Sequence, residues 1–87
     1  MSKWKTPVEL TLDSTNHQTV HGPYAAAMLL MISWPTQNGK ERERAERMCL
    51  KAVNERIDAA DAREAFLAAI EEAGLTLESR GTDPLAA

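Results

Sequence analysis

The sequence predicts a single α+β domain in which an N-terminal β-hairpin packs against three α-helices, with a short third strand as an option near the C-terminus. Three observations predict this fold. Residues 7–13 alternate strictly between apolar and polar side chains, as a half-buried strand does. Three later segments carry apolar residues at helical spacing and are bounded by glycine, proline or capping residues. A chain of 87 residues has the size of one domain.

The predicted hairpin begins with Val8, Leu10 and Leu12, which share one side of a strand while polar residues take the other. Residues 13–16, Asp-Ser-Thr-Asn, favour a turn because their side chains hydrogen-bond to their own backbone. A shorter second strand is predicted over residues 18–21.

The first helix is predicted over residues 23–34. Gly22 suits the N-cap, and Pro23 suits the first helical position, where no N–H is needed. Pro35 ends the helix, because a residue that precedes proline disfavours helical geometry. Nearly all sides of this helix are apolar. We therefore expect it to be largely buried, either within the monomer or in the seam of a homodimer.

Two further helices are predicted. The second extends from Lys40 to about Glu55, and its apolar stripe consists of Ala45, Met48, Cys49, Ala52 and Val53. The third follows Asp58 as N-cap and ends at Gly74, a residue suited to the left-handed conformation after a helix. Its buried face is predicted to consist of Ala62, Ala65, Phe66, Ala69, Ile70 and Ala73.

The C-terminal region allows two interpretations of residues 75–77, which are either a third strand beside the hairpin or a contact at the end of the third helix. We assign residues 1–78 to the domain and residues 79–87 to a flexible, largely polar tail. The last three residues resemble the end of the bacterial tag that marks proteins for degradation, namely Leu85, Ala86 and Ala87. A candidate degradation signal and a chance match in an alanine-rich chain are both open.

The amino-acid composition limits which classes of function are possible. Apolar residues make up 44% of the chain, but 14 of them are alanines, so the core is thin and self-association would help to stabilise it. The single Cys49 excludes an internal disulfide and paired-cysteine zinc sites, and it favours a reducing cytoplasm. No segment resembles a secretory signal or a membrane span, so we expect a cytoplasmic protein with no membrane partner. The net charge of −3 disfavours nucleic acid as the default partner.

We expect no catalytic residue, no cofactor and no metal site. On a strand, the spacing of His17 and His21 places their rings roughly 13 Å apart, too far to share one zinc ion. Cys49 lies in the apolar stripe of helix two, where a thiol acts as a small hydrophobe. No phosphate-binding loop or triad pattern is found, so we predict that the protein is not an enzyme. Trp34 is expected to cover the core rather than to anchor a partner.

Helix two carries the most informative surface feature. At about 100° per residue, four basic side chains fall within about 60° of one another, opposite the apolar stripe. This basic line consists of Lys40, Arg44, Arg47 and Lys51. It is either a binding surface for phosphates or an acidic partner, or a solvated face held by the helical pairs Glu43–Arg47 and Lys51–Glu55. Helix three carries an acidic counterpart made of Asp61, Glu64, Glu71 and Glu72.

Residues along most of the chain resemble a known family. The resemblance is carried by Trp4, Pro7-Val8, Trp34-Pro35, Gly39, Ala45, Cys49, Ala62-Arg63-Glu64-Ala65-Phe66 and Glu72-Ala73-Gly74. Together they are similar to the small bacterial family known as domain of unknown function 982, over about residues 4–77. The resemblance implies a short α+β domain with no established activity, substrate, cofactor or catalytic residue. It also implies a glycine or small residue between helices two and three, where this chain has Asn54-Glu55-Arg56-Ile57.

Two functional hypotheses follow. The first is a non-enzymatic module of the bacterial cytoplasm that binds an unknown protein partner or a second copy of itself. It is motivated by the thin core, the apolar first helix and the opposed charge stripes. The second is nucleic-acid or anion binding through the basic line.

Overall fold

The computed structural model describes residues 3–13, 16–35 and 38–79. In chain order its elements are β1 (Val8–Asp13), β2 (Asn16–Val20), α1 (Pro23–Met28), a π-helical continuation of α1 (Leu29–Ser33), α2 (Lys40–Val53), α3 (Ala59–Ala73) and β3 (Thr76–Ser79). The predicted α+β fold is confirmed. Thr76 and Leu77 lie in the third strand, whereas the amide of Leu75 donates to the carbonyl oxygen of Ile70 at the end of α3. Residues 80–87, which include the candidate degradation signal, lie outside the described part of the chain. None of the described helices is long and apolar enough to cross a bilayer.

The three strands form one antiparallel sheet in the order β2-β1-β3. Val8 pairs with Val20 on one side of β1, and Leu10 pairs with Leu77 on the other. The second strand begins earlier than predicted, because Asn16 pairs with Asp13 across a register shift instead of forming part of the turn. The strand also ends one residue earlier than predicted, at Val20. Because β1 is the central strand, β2 and β3 form the two edges of the sheet.

The core lies between the sheet and the helices, and its centre is the Phe66 ring. Both tryptophan rings pack against this ring, Trp4 with its centroid at 5.8 Å and Trp34 at 5.7 Å. Trp34 is only 4% exposed, which confirms that it covers the core. The Trp4 indole N–H donates to the carbonyl oxygen of Ala59 at 2.8 Å, which fixes the N-terminal segment to the start of α3.

The first helix differs from the prediction in two respects. It begins as predicted, with Gly22 at the N-cap and Pro23 at the first position, but its second half is π-helical from Leu29 to Ser33. One face is buried through Pro23, Ala26, Ala27 and Leu30, while the opposite face remains exposed. The expectation of a helix largely buried within the monomer is therefore wrong. A sequence that is apolar on nearly all sides does not specify which face is covered.

The link between α2 and α3 contains a residue in a backbone conformation that favours glycine. α2 ends at Val53, two residues before the predicted end, and Glu55 has φ +58°, in the left-handed region. The amide of Arg56 then donates to the carbonyl oxygen of Lys51 at 2.8 Å, which closes the helix end. The third helix has the predicted limits, with Asp58 as N-cap and Gly74 at φ +70°.

Replacing Glu55 with glycine is expected to stabilise the domain by about 0.5–1 kcal/mol and to raise the melting temperature by about 4 °C, because glycine adopts positive φ without steric cost. Thermal unfolding followed by circular dichroism measures this shift. Glu55→Ala is the matched control, since it removes the same carboxylate and keeps the Cβ atom. An equal gain in both variants would mean that charge, not backbone conformation, causes the effect.

Candidate functional site

The structure places the four predicted basic residues on one exposed side of α2. Lys40, Arg44, Arg47 and Lys51 are all exposed, whereas Ala45, Cys49 and Ala52 on the other side are buried. The predicted pairs Glu43–Arg47 and Lys51–Glu55 are wrong. The ion pairs formed within α2 in the described part of the chain are instead Arg42–Glu46 at 3.5 Å and Arg44–Glu41 at 3.6 Å. Three of the four cations in the basic line therefore have no ion-pair partner among the described residues.

The N-terminus of α2, where the basic line begins, is closed by a carboxylate from another helix. The two carboxylate oxygens of Glu72 in α3 accept from the backbone amides of Glu41 and Arg42, each at 3.1 Å. A negative charge at this position also interacts favourably with the helix dipole. Glu72 was predicted to belong to an acidic surface, but the structure uses it as a long-range cap. Only Asp61, Glu64 and Glu71 of the acidic set remain without such a role.

Gly39 makes this cap sterically accessible. Its φ of +146° is a conformation that L-residues rarely adopt, and a Cβ atom added there would clash with Oε1 of Glu72. Both residues carry the family resemblance, and in the structure they lie in direct contact. No signal in the sequence reveals this pairing, because 33 positions separate the two residues.

α1 has an exposed face, and its burial in a homodimer seam stays a prediction; the sequence did not indicate which residues form this face. Its four large side chains are exposed by 50%, 36%, 49% and 69%, and we call them the apolar patch: Tyr24, Met28, Met31 and Ile32. Together they expose on the order of 400 Å², since a large side chain has roughly 200 Å² of surface. A patch of this size on a monomer commonly has a binding role. The signal in the sequence was the surplus of apolar residues in this helix over those that one buried face requires.

Beside the patch lies a groove of about 360 Å³ between α1 and β2. Tyr24, Met28 and Ile32 line one wall, and residues 18–20 of the edge strand line the other. No residue that lines this groove is charged, although charged residues make up 26% of the chain. The groove is therefore suited to an uncharged occupant that is partly apolar and partly able to form hydrogen bonds.

The histidines lie on the exposed side of the hairpin. Nε2 of His17 is 3.9 Å from Oε1 of Glu9, and its Nδ1 lies 3.3 Å from Oγ1 of Thr11. His21 follows β2 and is exposed. A search of residues 3–13, 16–35 and 38–79 finds no group of three or more potential metal ligands. His17 therefore interacts with neighbouring polar groups of the sheet.

Cys49 lies in the core, as its position in the apolar stripe predicted. It is fully buried, and burial raises the pKa of its thiol to about 12 because the charged thiolate is poorly solvated there. The thiol therefore stays protonated near neutral pH. It neither reaches a substrate in solvent nor supplies the thiolate that a nucleophilic mechanism needs.

A second groove, of about 470 Å³, forms where the N-terminal segment crosses the start of α3. Lys3, Lys5 and Arg63 contribute basic side chains to it. Nε of Arg63 donates to the carbonyl oxygen of Thr6 at 3.1 Å, so this arginine also attaches the N-terminal segment to α3. This groove could not be predicted from the sequence, because its two walls lie more than 50 residues apart in the chain.

The fold and these surfaces define a small α+β domain with a three-stranded antiparallel sheet, three helices and an exposed apolar helix face. The chain belongs to the family described as Protein of unknown function (DUF982), whose model matches residues 6–77. This confirms the resemblance inferred from the sequence.

The chain is also similar to the NMR structure of an Agrobacterium tumefaciens protein, Atu1219. The two share 29% sequence identity with a TM-score of 0.75, over 94% of this chain and 82% of that chain. No functionally curated protein matches the sequence. Functional inference therefore depends on the surfaces described above.

Proposed function

We propose that this domain is a non-enzymatic interaction module of the bacterial cytoplasm that associates with a second copy of itself through the apolar patch of α1. The observation that carries the proposal is the exposure of four large apolar side chains on one helix face of a domain with a thin core. Water contact with such a surface is unfavourable at roughly 25 cal/mol per Å². The free thiol of Cys49 supports a reducing compartment.

A second copy is the occupant that fits this surface best. Two patches that face each other bury on the order of 800 Å², and their rims bring the total towards the roughly 1,200 Å² at which specific interfaces begin. The adjoining groove carries no charge, so two copies meet there without like-charge repulsion. A dimer with two-fold symmetry needs only this one self-complementary surface.

The proposal predicts that the wild-type protein sediments as a dimer at about 100 µM and that Ile32→Glu raises the dimer dissociation constant at least about 100-fold, because the new carboxylate would be buried without a partner. Sedimentation velocity or light scattering over a concentration series measures both. Leu50→Glu is the matched control: Leu50 is 40% exposed, but it lies on α2 outside the groove. A wild-type protein that remains monomeric, or an Ile32→Glu variant that dimerises normally, would refute the proposal.

A second candidate function is anion or nucleic-acid binding through the basic line. The observation that favours it is that Lys40, Arg47 and Lys51 are exposed and form no ion pair among the described residues. Unpaired cations on one helix face can contact successive phosphates. The overall negative charge makes this the weaker candidate.

This second function predicts that wild-type protein retards duplex or single-stranded nucleic acid at about 50 mM salt, with an affinity that falls steeply as salt rises. The double variant Arg44→Glu, Arg47→Glu is expected to abolish the retardation. Arg47→Glu alone should weaken it, and Arg56→Glu is the control for this single variant, because both change the charge by −2 and Arg56 is exposed outside the basic line. Absence of retardation by the wild-type protein, or equal loss in the control, would remove this function.

A further inference from the structure

We propose that two copies of the chain join edge to edge through β2, so that their three-stranded sheets merge into one six-stranded antiparallel sheet. The two α1 helices then lie on the same face of the merged sheet and bring their apolar patches together over the seam. This inference rests on the proposed self-association and adds the backbone surface that directs it.

β2 is an edge strand that carries no charged residue of fixed sign and no proline. It pairs with β1 on one side, and no strand lies on its outer side in the described part of the chain. Edge strands normally avoid pairing with other chains by carrying charged residues or proline. The β2 sequence, Asn-His-Gln-Thr-Val, contains no lysine, arginine, aspartate, glutamate or proline. The opposite edge, β3, has only four residues and includes a glutamate in its sequence, Thr-Leu-Glu-Ser.

Most of the apolar patch faces β2 across the groove. Residues 18–20 of β2 form one wall of the groove, and Tyr24, Met28 and Ile32 form the other. A two-fold axis perpendicular to the sheet that pairs β2 with its copy also brings one groove against the other. One symmetry operation thus adds a strand beside β2 at residues 18–20 and covers the apolar side chains of the helix.

The lining of the groove matches the chemistry of a second copy. It combines exposed apolar side chains with residues 18–20 of the edge strand and has no charged residue. An extended, uncharged backbone segment beside an apolar helix is what such a lining would recognise. A second copy supplies both features in the required arrangement. Strand pairing also adds area to the interface beyond that of the apolar patch.

The decisive experiment is isotope-filtered NMR on a mixture of labelled and unlabelled wild-type protein. The expected result is a set of nuclear Overhauser effects between the β2 backbones of the two copies. In addition, alternate β2 amides should exchange with solvent at least about tenfold more slowly in the wild type than in the Ile32→Glu variant. Intermolecular contacts confined to the helices would overturn the edge pairing and leave the proposed self-association intact. A monomer at every concentration would overturn both.

A second measurement uses matched substitutions on the two edges of the sheet. Thr19→Lys places a charge at the exposed edge of β2, and Thr76→Lys makes the same change on β3. We expect Thr19→Lys to raise the dimer dissociation constant at least about tenfold, because like charges would meet across the two-fold axis, and Thr76→Lys to leave it unchanged. Equal effects of the two variants, or contacts between β2 and residues 80–87 of the same copy, would overturn the proposal.

Discussion

Gly39→Ala is expected to lower the free energy of unfolding by about 3 kcal/mol, which for a domain of this size lowers the melting temperature by more than about 10 °C. Two costs combine in this variant. The backbone at φ +146° is strained for any residue with a Cβ atom, and that atom would displace the carboxylate of Glu72. The displaced carboxylate then no longer accepts from the amides of Glu41 and Arg42 at the start of α2.

A double-mutant cycle separates these two costs. Glu72→Ala alone removes the cap but not the glycine and is expected to cost about 1–2 kcal/mol. In the double variant the added methyl group meets no carboxylate. The loss in free energy of unfolding of the double variant should therefore be clearly smaller than the sum of the losses in the two single variants. Urea unfolding of the four proteins, followed by circular dichroism, measures the difference. Strictly additive costs would show that Gly39 and Glu72 do not interact in the manner the structure indicates.

The limits of the elements could be predicted from the sequence because they depend on local chemistry. Pro23 at the first helical position, Asp58 before α3 and Gly74 after it each act through their own backbone or that of their neighbours. The alternation of Val8 and Leu10 likewise predicted the buried face of β1, and both residues are fully buried. Such signals need no knowledge of distant parts of the chain.

The candidate surfaces could be predicted only in part. The basic line follows directly from helical geometry, so its four residues lie on one face as expected. The partners of these residues did not follow, because each helical ion pair contributes only a few tenths of a kcal/mol, so spacing does not determine which pairs form. Arg44 pairs with Glu41, and Arg42, whose side chain is 12% exposed, pairs with Glu46. Weak helical ion pairs are therefore poorly determined by spacing alone.

The residues that form the apolar patch could not be predicted, because they depend on which elements cover α1. Ala26, Ala27 and Leu30 point into the core, while Met31 and Ile32 do not. Hydropathy is similar on the two faces, and only the placement of the sheet and of α2 decides between them. The π-helical turn from Leu29 to Ser33 changes the helical phase in the same region, which no periodic pattern anticipated.

Phe66→Ala is expected to lower the free energy of unfolding by about 3–5 kcal/mol, the largest effect of any substitution considered, because the ring is fully buried and its removal leaves a cavity. The substitution would also remove packing contacts between separate segments of the chain. The ring of Phe66 contacts both Trp4 and Trp34, so it joins the N-terminal segment and the end of the first helix to α3. No other phenylalanine is present, and the many alanines of the core cannot fill the space.

Equilibrium unfolding in urea tests this effect, and tryptophan fluorescence reports on the environment of both indole rings. Leu67→Ala is the matched control, because it truncates the next residue of α3, which is only half-buried, and should cost about 1–2 kcal/mol. Phe66→Leu should recover most of the stability by refilling the cavity. A Phe66→Ala variant no less stable than Leu67→Ala would mean that the two indole rings and the core alanines hold the domain together without the central ring. The thin core would then be less dependent on its few large side chains than the packing around Phe66 indicates.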